Sequence, residues 1–571
     1  MGINRRMILA VFLVCMVVGV GLGAWDAIKR SGSGGLVTPF PPDMAGPVQE
    51  LMAEMTVEEK VGQLMAIGIG GREFDEATRR ILSQIRPGGI TLFSRNISDS
   101  QQVTDLIQQL QRESDIPLFI SVDQEGGRVS RLQFDGVVMP SQMAVGATRS
   151  PELSYEVGGA VGAHLRSLGI NMNFAPVMDV NNNPRNPVIG DRSYGDTPSL
   201  VAELGTQYIR GLQSADVLAV AKHFPGHGDT TVDSHIGLPS VPFDRERLDT
   251  VELVPFKAAA ETDIGGIMSA HIVFSALDSS RVPATVSRPI LTGILREEWG
   301  YDGLIVTDDL EMKAVSERYG AMAGVKAVEA GADLILVCHT PSFQTQVYEQ
   351  LLAAVREGRI SQTRLNQSVE RILRAKERVG LLAESGFSPG NEAQQKRTWH
   401  QVQAVAQKVA DHSVTVAKDE AGLIPLQRGQ RVLVISPRRN PPFDPSQLGS
   451  RLRQYSQQLG TQMTITPQVI DETVAISTLL GQAKACDVVV LVTDNAIGSR
   501  YQTQLYQSLR DAGVPLILVA TGAPYDGNYL WGLKTFIAMY TPTAEAVDAT
   551  ARILLGEAPA RGKLPVSLEF P

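Results

Sequence analysis

The sequence predicts an α/β protein, in which an N-terminal (β/α)8 TIM-type barrel is followed by a smaller C-terminal α/β sheet domain. Between Met55 and Leu382, eight short apolar runs alternate with amphipathic stretches of helix length, which is typical of a parallel β/α barrel. Polar residues follow most of these runs, and a second set of apolar runs comes after them. A chain of 571 residues is long enough for one large domain and a smaller one.

The predicted barrel strands are short and mostly aliphatic. In chain order they are GQLMAIGI, GGITLF, PLFISVD, INMNFAPV, LAVAKHF, GGIMSAH, GLIVTDD and ADLILVC. Helical patterns lie between them, and two begin with a Ser or Thr directly before Pro, at Ser150 and Thr197, a common way for a helix to start. We therefore expect a catalytic barrel domain over 49–383.

A second domain is predicted from the runs RVLVISP, DVVVLVTD, PLILVATG and TFIAMYT, which are separated by helical stretches. This alternation indicates a smaller parallel sheet over 401–571. Between the two domains, the segment AESGFSPGNEAQQKR is polar and low in apolar residues. We interpret 384–400 as a linker.

The N-terminus has the pattern of a signal peptide or membrane anchor over 1–25. Two arginines precede an uninterrupted apolar run that ends at Trp25, long enough to span a bilayer. Small residues near Gly23 offer a cleavage site, so cleavage and retention both stay open. Residues 26–48 are then a flexible tether. We expect an extracytoplasmic protein, secreted or anchored, whose membrane contact is made through this segment alone.

Charge and cysteine content exclude several classes of function. The net charge of −9 and the pI near 5.5 give no electrostatic reason to expect a nucleic-acid partner. The three cysteines cannot form a disulfide framework, and no Cys/His metal spacing appears. No cofactor is predicted.

Polar residues stand where the predicted strands end. They are Asp123, Asp179, Lys222, His223, His271, Asp308 and Asp309. Because the carboxyl ends of barrel strands form the active face, these side chains are expected to share one site. An unpaired carboxylate at the end of an apolar strand costs free energy, which favours a nucleophile over a helix cap at Asp308. For Asp309, a helix N-cap or first-turn role is favoured.

The segment AVAKHFPGHGDTTVDSHIGLP, residues 219–239, raises three possibilities: a metal site, an acid–base device or a polar loop. Asp233 and His235 lie two residues apart, and a histidine oriented by a carboxylate is a general acid–base pair. Three histidines and two aspartates would suffice for zinc, but no HExxH motif or carboxylate cage is present, and Lys222 would place a cation against the metal. We therefore favour acid–base chemistry, with no metal ligand, and assign His227 and Asp229 to holding the loop.

Several strand-end and loop residues are suited to a ligand rich in hydroxyl groups. Lys222, Arg131, Arg192 and Asp123 supply multiple donors or a bidentate acceptor. Each of them alone would more commonly be a salt bridge at the barrel rim. Four on one face favour a polyol or a sugar.

The motifs DQEGGRVSRL, NFAPVMDVNNNP, GDRSYG, KHFPGHGDTTVDSH, MSAHIVF and VTDDLEM resemble those of glycoside hydrolase family 3, and within it the NagZ-like β-N-acetylglucosaminidase (β-N-acetylhexosaminidase) branch. The segments TVAKDEAGLIPL and GKLPVSL resemble the second domain of that family. The resemblance covers nearly all of the chain after the tether.

The resemblance implies Asp308 as catalytic nucleophile, His235 as acid–base and Asp233 as its partner. It further implies that Asp123, Arg131, Arg192, Lys222 and His223 bind the sugar. The implied partners are N-acetylglucosamine-containing saccharides, either cell-wall fragments or chitooligosaccharides. A β-glucosidase or a phosphorylase on the same fold, and a non-catalytic wall-binding protein, stay open as alternatives.

Overall fold

The computed structural model describes residues 46–133, 138–383 and 388–571. By its contacts the chain divides into residues 1–50 and a compact unit, 51–571. Of the first unit only 46–50 are described, and they include the start of a helix, Pro47–Glu54. The predicted signal or anchor segment, and the tether up to residue 45, lie outside the described residues. None of the helices within the described ranges is long and apolar enough to cross a membrane.

Eight parallel strands close into a barrel, as the sequence predicts. In the described residues, the first ten strands are β1 (Met65–Gly68), β2 (Gly89–Leu92), β3 (Phe119–Val122), β4 (Met172–Asn173), β5 (Leu218–Phe224), β6 (Ser240–Val241), β7 (Gly266–Ser269), β8 (Val273–Phe274), β9 (Leu304–Asp309) and β10 (Leu334–Val337). Around the barrel the order is β1, β10, β9, β7, β5, β4, β3 and β2, and β1 pairs with both β2 and β10. All eight barrel strands coincide with predicted apolar runs.

The barrel strands are buried almost completely. Across all eight, as the structure describes them, Asp308 is the one residue that is not fully buried. Strand β4 is shorter than its apolar run, and the N–H of Ala175 donates locally to the carbonyl of Asn173 at 2.8 Å instead of to a neighbouring strand. A carboxylate that reaches open space from a buried strand is the first indication of a functional site.

Helices surround the barrel. They are α1 (Pro47–Glu54), α2 (Val57–Gln63), α3 (Glu76–Ile85), α4 (Ser100–Arg112), α5 (Gln142–Thr148), α6 (Pro151–Leu168), α7 (Pro198–Gln213), α8 (Arg245–Thr250), α9 (Val254–Ala260), α10 (Lys313–Tyr319), α11 (Met322–Ala330), α12 (Pro341–Arg356) and α13 (Gln362–Arg378), with a π-helix at Pro289–Glu298. Both helices predicted from Ser or Thr before Pro, α6 and α7, are present. In α6, the Ser150 hydroxyl accepts from the N–H of Leu153 and caps the first turn.

Two short strands outside the barrel tie together the loops above it. Strand β6 pairs in parallel with β8, so that Ser240 and Val241 lie beside Val273 and Phe274. Strand β6 lies beyond the histidine-rich loop that follows β5, and β8 lies beyond β7. The pairing therefore anchors the far end of that loop to the neighbouring barrel segment.

The second domain is a six-stranded sheet. Its strands are β11 (Thr415–Asp419), β12 (Arg431–Pro437), β13 (Thr464–Ile470), β14 (Val488–Thr493), β15 (Leu516–Ala520) and β16 (Thr535–Ala538), in the order β11, β16, β15, β14, β12, β13. Its helices are α14 (Glu392–Ser413), α15 (Gln447–Gln458), α16 (Ile476–Ala483), α17 (Arg500–Asp511), α18 (Asp526–Tyr529) and α19 (Ala544–Leu554). Five strands are parallel, and the edge strand β11 is antiparallel to β16. The four predicted strands form the centre, and both unpredicted strands lie at the edges.

The interpretation of 384–400 as a linker is wrong for its second half, which forms the first nine residues of α14. Asn391 caps this helix by accepting from the N–H of Gln394. Gln395 and Thr398 are buried although they are polar, and the Gln395 amide donates to the carbonyl of Ser167 on α6 at 3.2 Å. Polar residues whose hydrogen bonds are satisfied can be buried at an interface. A segment of low apolar content can therefore form a packed helix, although its composition is typical of a linker.

Candidate active site

One cavity of about 540 Å³ opens at the carboxyl ends of the barrel strands. All eight residues predicted to form the site line it: Asp123, Arg131, Arg192, Lys222, His223, Asp233, His235 and Asp308. They come from the ends of β5 and β9 and from the loops after β3, β4 and β5. The fold therefore brings together residues as far apart in sequence as Asp123 and Asp308.

A cluster of ion pairs lines one side of the cavity; it consists of Asp123, Glu125, Arg131, Arg192 and Lys222. The Lys222 ammonium donates to Asp123 Oδ1 at 2.7 Å and lies 2.6 Å from Glu125 Oε1. Arg192 binds Glu125 in bidentate fashion, with both N–O distances at 2.8 Å. Arg131 lies 3.3 Å from Asp123 Oδ2. Such a set of fixed donors and acceptors is suited to the hydroxyl groups of a sugar.

Asp123, Glu125 and Arg192 of this ion-pair cluster stay ionised in spite of their burial. Burial raises the pKa of the Asp123 carboxyl, but Lys222 and then Arg131 lower it further, so that it lies below its ordinary value. The pKa of Glu125 is likewise raised by burial and lowered more strongly by Arg192 and Lys222. Burial lowers the pKa of Arg192, yet Glu125 raises it above its ordinary value. Three cations therefore face two carboxylates, which leaves one positive charge in excess.

Asp179 holds two histidines of the β5 end and the following loop. One carboxylate oxygen contacts His223 Nδ1 at 2.7 Å, and the other accepts from the backbone N–H of His227 at 2.6 Å. Because Asp179 is bound through Nδ1, the other ring nitrogen of His223 faces Arg192, whose Nη2 lies 3.3 Å away. Asp179 therefore orients His223 toward the ion-pair cluster.

His227 supports the loop, as the sequence predicts for it. Its ring contacts the Thr230 hydroxyl at 2.8 Å and the Ser234 hydroxyl at 3.2 Å. Burial lowers its pKa to about 4, so the ring is neutral at physiological pH. The base of the loop is closely packed, since a Cβ on Gly228 would lie 1.8 Å from the carbonyl oxygen of Val180.

Asp308 presents a carboxylate to the cavity from the end of β9. Its Oδ1 accepts from the backbone N–H of Asp309 at 2.8 Å. Burial raises the pKa of Asp308, but His271, His223 and Lys222 outweigh it, and the pKa lies below its ordinary value. Asp308 is therefore an ionised carboxylate that faces open space, which is what a nucleophile requires.

The role predicted for Asp309 is wrong. Helix α10 begins at Lys313, and its N-cap is Met312. Asp309 instead accepts from the backbone N–H groups of Glu311 and Cys338 at 3.1 and 3.3 Å. Its other oxygen lies 3.1 Å from His339 Nε2. It therefore fixes the turn after β9 to the turn after β10, and this turn sets the direction of the neighbouring Asp308.

Asp233 and His235 form a pair on the loop after β5. Asp233 Oδ1 lies 2.7 Å from His235 Nδ1 and also accepts from the backbone N–H of His235 at 2.9 Å. Burial raises the pKa of Asp233, but the bonds from His235 lower it below its ordinary value. The His235 side chain is 64% exposed. Because Nδ1 is bound, Nε2 is the atom left to act on a ligand.

For three residues of the site, the sequence predicts a position at a strand end or in a motif but no function. Glu125 bridges Arg192 and Lys222, Asp179 orients His223, and His271 lies between the Thr285 hydroxyl and the Asp309 carbonyl at 2.7 and 2.9 Å. Glu125 follows Asp123 by two residues, and this spacing is the sequence feature that could have placed it in the site. Within the described residues, no group of three or more His, Cys, Asp or Glu side chains is arranged to hold a metal ion.

The family model described as the glycosyl hydrolase family 3 N terminal domain matches residues 56–375. The chain is 31% identical over 556 residues to "Beta-hexosaminidase A" of Pseudoalteromonas piscicida, which covers 86% of this chain and 90% of that protein. It is 37% identical over 301 residues to a "Beta-hexosaminidase" of Alkalilimnicola ehrlichii, and this match covers 51% of this chain and 84% of that protein. The second relative is therefore little longer than the barrel domain.

Among solved structures, the chain resembles a family 3 β-N-acetylglucosaminidase from Paenibacillus sp. str. FPU-7. The TM-score is 0.81 at 40% sequence identity, and the match covers 90% of this chain and 100% of that one. A β-glucoside phosphorylase has a TM-score of 0.77 at 24% identity, a likeness that shows a shared fold and nothing further.

Proposed function

The chain belongs to glycosyl hydrolase family 3, and from that premise we propose that it is an exo-acting, retaining β-N-acetylhexosaminidase. The proposed reaction removes terminal N-acetylglucosamine from peptidoglycan fragments or chitooligosaccharides. The observation that carries it is the meeting of an ionised Asp308 with the pair of Asp233 and His235 in one cavity. The names of the hexosaminidase relatives and of the N-acetylglucosaminidase structure support the choice of sugar.

In the first step, Asp308 attacks the anomeric carbon of the terminal sugar as the bond to the leaving oxygen breaks. His235, protonated, gives its Nε2 proton to that oxygen, so that the leaving group departs as a neutral alcohol. Asp233 stabilises the imidazolium and holds the ring through Nδ1. The product of this step is a glycosyl ester on Asp308.

In the second step, neutral His235 accepts a proton from a water molecule that attacks the anomeric carbon. The ester bond to Asp308 breaks, and the sugar leaves with the configuration that it had in the substrate. His235 is protonated again and is ready for another cycle. One histidine thus serves as acid and as base in turn.

The ion-pair cluster is proposed to bind the terminal sugar. Asp123 and the cations Lys222, Arg131 and Arg192 supply donors and acceptors on the cavity floor, and His223 faces the same space. Because these groups already bind one another, they are positioned before the sugar arrives, which reduces the entropy cost of binding.

Hydrolysis of aryl glycosides by three variants tests this proposal. We expect Asp308→Ala to abolish turnover of an aryl β-N-acetylglucosaminide, and His235→Ala to lower kcat/KM by about 10²- to 10⁴-fold. The loss at His235 should grow with the basicity of the leaving phenol, because only a basic leaving oxygen needs protonation. His400→Ala, in an exposed histidine of α14, is the control. Full activity in the Asp308 or His235 variant would refute the assignment.

The same assay separates the alternatives. A preference for the aryl β-glucoside would identify a β-glucosidase, and release of a glycosyl phosphate when phosphate is added would identify a phosphorylase. Saturable sugar binding without turnover in the wild type would identify a non-catalytic binding protein.

The proposed location is outside the cytoplasmic membrane, where cell-wall fragments arise. Support for it comes from the sequence of residues 1–25 alone, in which two arginines precede an apolar run. Cell fractionation of the full chain and of a chain that lacks residues 1–25 tests it. Retention of the full chain in the cytoplasm would contradict the proposal.

A further inference from the structure

A second cavity, of about 590 Å³, lies between the barrel and the C-terminal domain. We call it the interdomain cleft. From the barrel it is lined by the loop that contains Pro187 and Asp191, and from the C-terminal domain by Arg439, Phe443 and Asp494. It is as large as the active-site cavity, and the two-step mechanism makes no use of it.

The interdomain cleft lies at the place where open parallel sheets most often bind ligands. Strand β12 has β13 on one side and β14 on the other, so the strand order reverses between β12 and β14. Ligands of such sheets bind at the carboxyl ends of the strands, at this reversal. Arg439 follows β12, Asp494 follows β14, and the two side chains form an ion pair of 2.6 Å across the reversal.

The groups in the cleft are those that bind saccharides in proteins. Arg439 and Asp494 are partly exposed at 46% and 33%, so that their pairing contributes little stability and a ligand can share it. Asn440 and Asn495 are exposed beside them, and the Phe443 ring is partly exposed. Polar groups for hydroxyls and a ring for the apolar face of a sugar are thus present together.

The interdomain cleft adjoins the active-site cavity. Arg128 and Pro187 line both. Arg128 is held between them by Asp191, whose Oδ1 accepts from its Nε at 2.7 Å, and by the carbonyl of Ile189 at 3.1 Å. A chain that leaves the active site on this side therefore reaches the cleft after it passes Arg128.

Hydrogen bonds between the domains hold the walls of the cleft in place. The Tyr525 hydroxyl, in the cleft wall, accepts from the Asn181 amide at 2.6 Å. The Thr541 hydroxyl accepts from the backbone N–H of Ser141 at 2.9 Å. Farther along, the backbone N–H of Lys563 donates to the carbonyl of Ala147 at 2.9 Å. These bonds fix the positions of the two walls relative to each other.

We propose that the interdomain cleft binds the leaving-group end of an oligosaccharide whose terminal sugar occupies the active site. This inference rests on the proposed function and extends it to a preference for longer saccharide chains. The match with the Alkalilimnicola ehrlichii relative covers 51% of this chain and 84% of that protein, which is therefore too short to contain both domains. The C-terminal domain is thus not common to all relatives of that name, and it provides half of the cleft.

The test compares substrates with short and long leaving groups. Phe443→Ala and Arg439→Ala are expected to lower kcat/KM for chitotetraose about tenfold, and to leave kcat/KM for an aryl β-N-acetylglucosaminide unchanged. Two controls lie at the opposite, amino edge of the sheet, Arg428→Ala before β12 and Trp531→Ala before β16. Equal losses on both substrates, or no loss on chitotetraose, would overturn the proposal. A loss confined to substrates that carry a peptide would overturn the saccharide assignment.

A binding measurement separates this proposal from the proposed catalytic function. In Asp308→Asn, which keeps the shape of the side chain, the dissociation constant for chitotetraose is measured by calorimetry with and without Phe443→Ala. We expect about tenfold weaker binding in the double variant. If the wild type hydrolyses no aryl glycoside while this difference persists, the catalytic proposal fails and the cleft proposal stands. If the wild type is active and the difference is absent, the cleft proposal alone fails.

Discussion

Substitution of Glu125 by glutamine tests whether a buried carboxylate positions the cations of the site. Glu125 Oε1 accepts from Arg192 and Lys222, and Oε2 accepts from Arg192 Nε. In the better of its two orientations, the Gln side chain places its amide oxygen where Glu125 Oε1 lies and keeps the bonds from Arg192 Nη2 and Lys222 Nζ. Its N–H₂ group then faces Arg192 Nε, which is also a donor. The variant therefore loses one charge-assisted hydrogen bond and leaves three cations, Lys222, Arg192 and Arg131, facing a single carboxylate, Asp123.

The size of the effect follows from the burial of the site. The Glu125 side chain is 1% exposed and that of Lys222 is 3% exposed. Removal of one partner from a buried ion pair costs about 3–5 kcal/mol, and since two of three bonds remain, we expect a destabilisation of about 2–4 kcal/mol for Glu125→Gln. In a domain of this size that lowers Tm by about 3–6 °C. Because Arg192 also contacts His223, kcat/KM should fall about 10- to 100-fold.

Thermal unfolding and hydrolysis of an aryl β-N-acetylglucosaminide are measured on the same preparations. The matched control is Glu58→Gln, which removes the charge of a surface pair whose members, Glu58 and Arg356, are 43% and 62% exposed. We expect the control to have the Tm and the kcat/KM of the wild type. If Glu125→Gln behaved like this control in both assays, the argument that Glu125 organises the cations would be wrong.

Three further predictions concern other parts of the chain. Burial lowers the pKa of Lys376 to about 7, and its ammonium contacts Gln63 Oε1 at 2.6 Å. Because the unfolded chain binds one more proton between pH 7 and 10.5, wild-type stability rises with pH across that window. Lys376→Met should therefore raise Tm at pH 6, where it removes a buried charge, and lower Tm near pH 11, where it removes only the hydrogen bond to Gln63. A Tm difference between variant and wild type that stays constant with pH would contradict this. Asp233→Asn replaces the carboxylate that holds the His235 ring through Nδ1, so kcat/KM should fall about 10- to 100-fold for an aryl glycoside with a basic leaving phenol and less for one with an acidic leaving phenol, and equal losses on the two substrates would argue against the pair. Exhaustive chelation should leave turnover unchanged, since no metal ligand is predicted, and activity restored by an added divalent cation would refute that prediction.

The sequence predicts the centre of each sheet better than its edges. Strands that are buried on both faces appear as continuous apolar runs, and every predicted strand of this kind exists. The edge strand β13 has a single buried residue, Ile465, before its buried last residue, Ile470. It also contains Pro467, which is tolerated at an edge because one side of the strand needs no partner. The other edge strand, β11, reads Thr-Val-Ala-Lys-Asp and is mostly half-buried. Neither pattern differs from that of a polar loop.

The same limit applies to the site. Residues at the ends of apolar strands were found because the barrel dictates where those ends meet, and Asp308 and Lys222 are of this kind. Hydrogen bonds between residues of different strand ends cannot be predicted in this way, because the distance between two side chains in space does not follow from their separation in the sequence. Asp179 and His223 are 44 residues apart and lie 2.7 Å from each other, and Asp309 bonds to a turn that follows a different strand.

Burial divides the site into two halves that should respond differently to the substrate. Lys222 and Arg192, in the ion-pair cluster, are nearly closed to solvent, with exposed fractions of 3% and 11%, and Asp123 and Arg131 are 18% and 29% exposed. His235 is 64% exposed, and its proton transfer becomes efficient only when the leaving group displaces the surrounding water. The grip on the terminal sugar is therefore independent of the size of the leaving group, whereas the protonation step depends on that size. In the proposed complex, the interdomain cleft holds the leaving group. A long saccharide should therefore bind more tightly and also react faster in the first step, because its leaving group excludes water from His235. The contacts of the terminal sugar should stay unchanged.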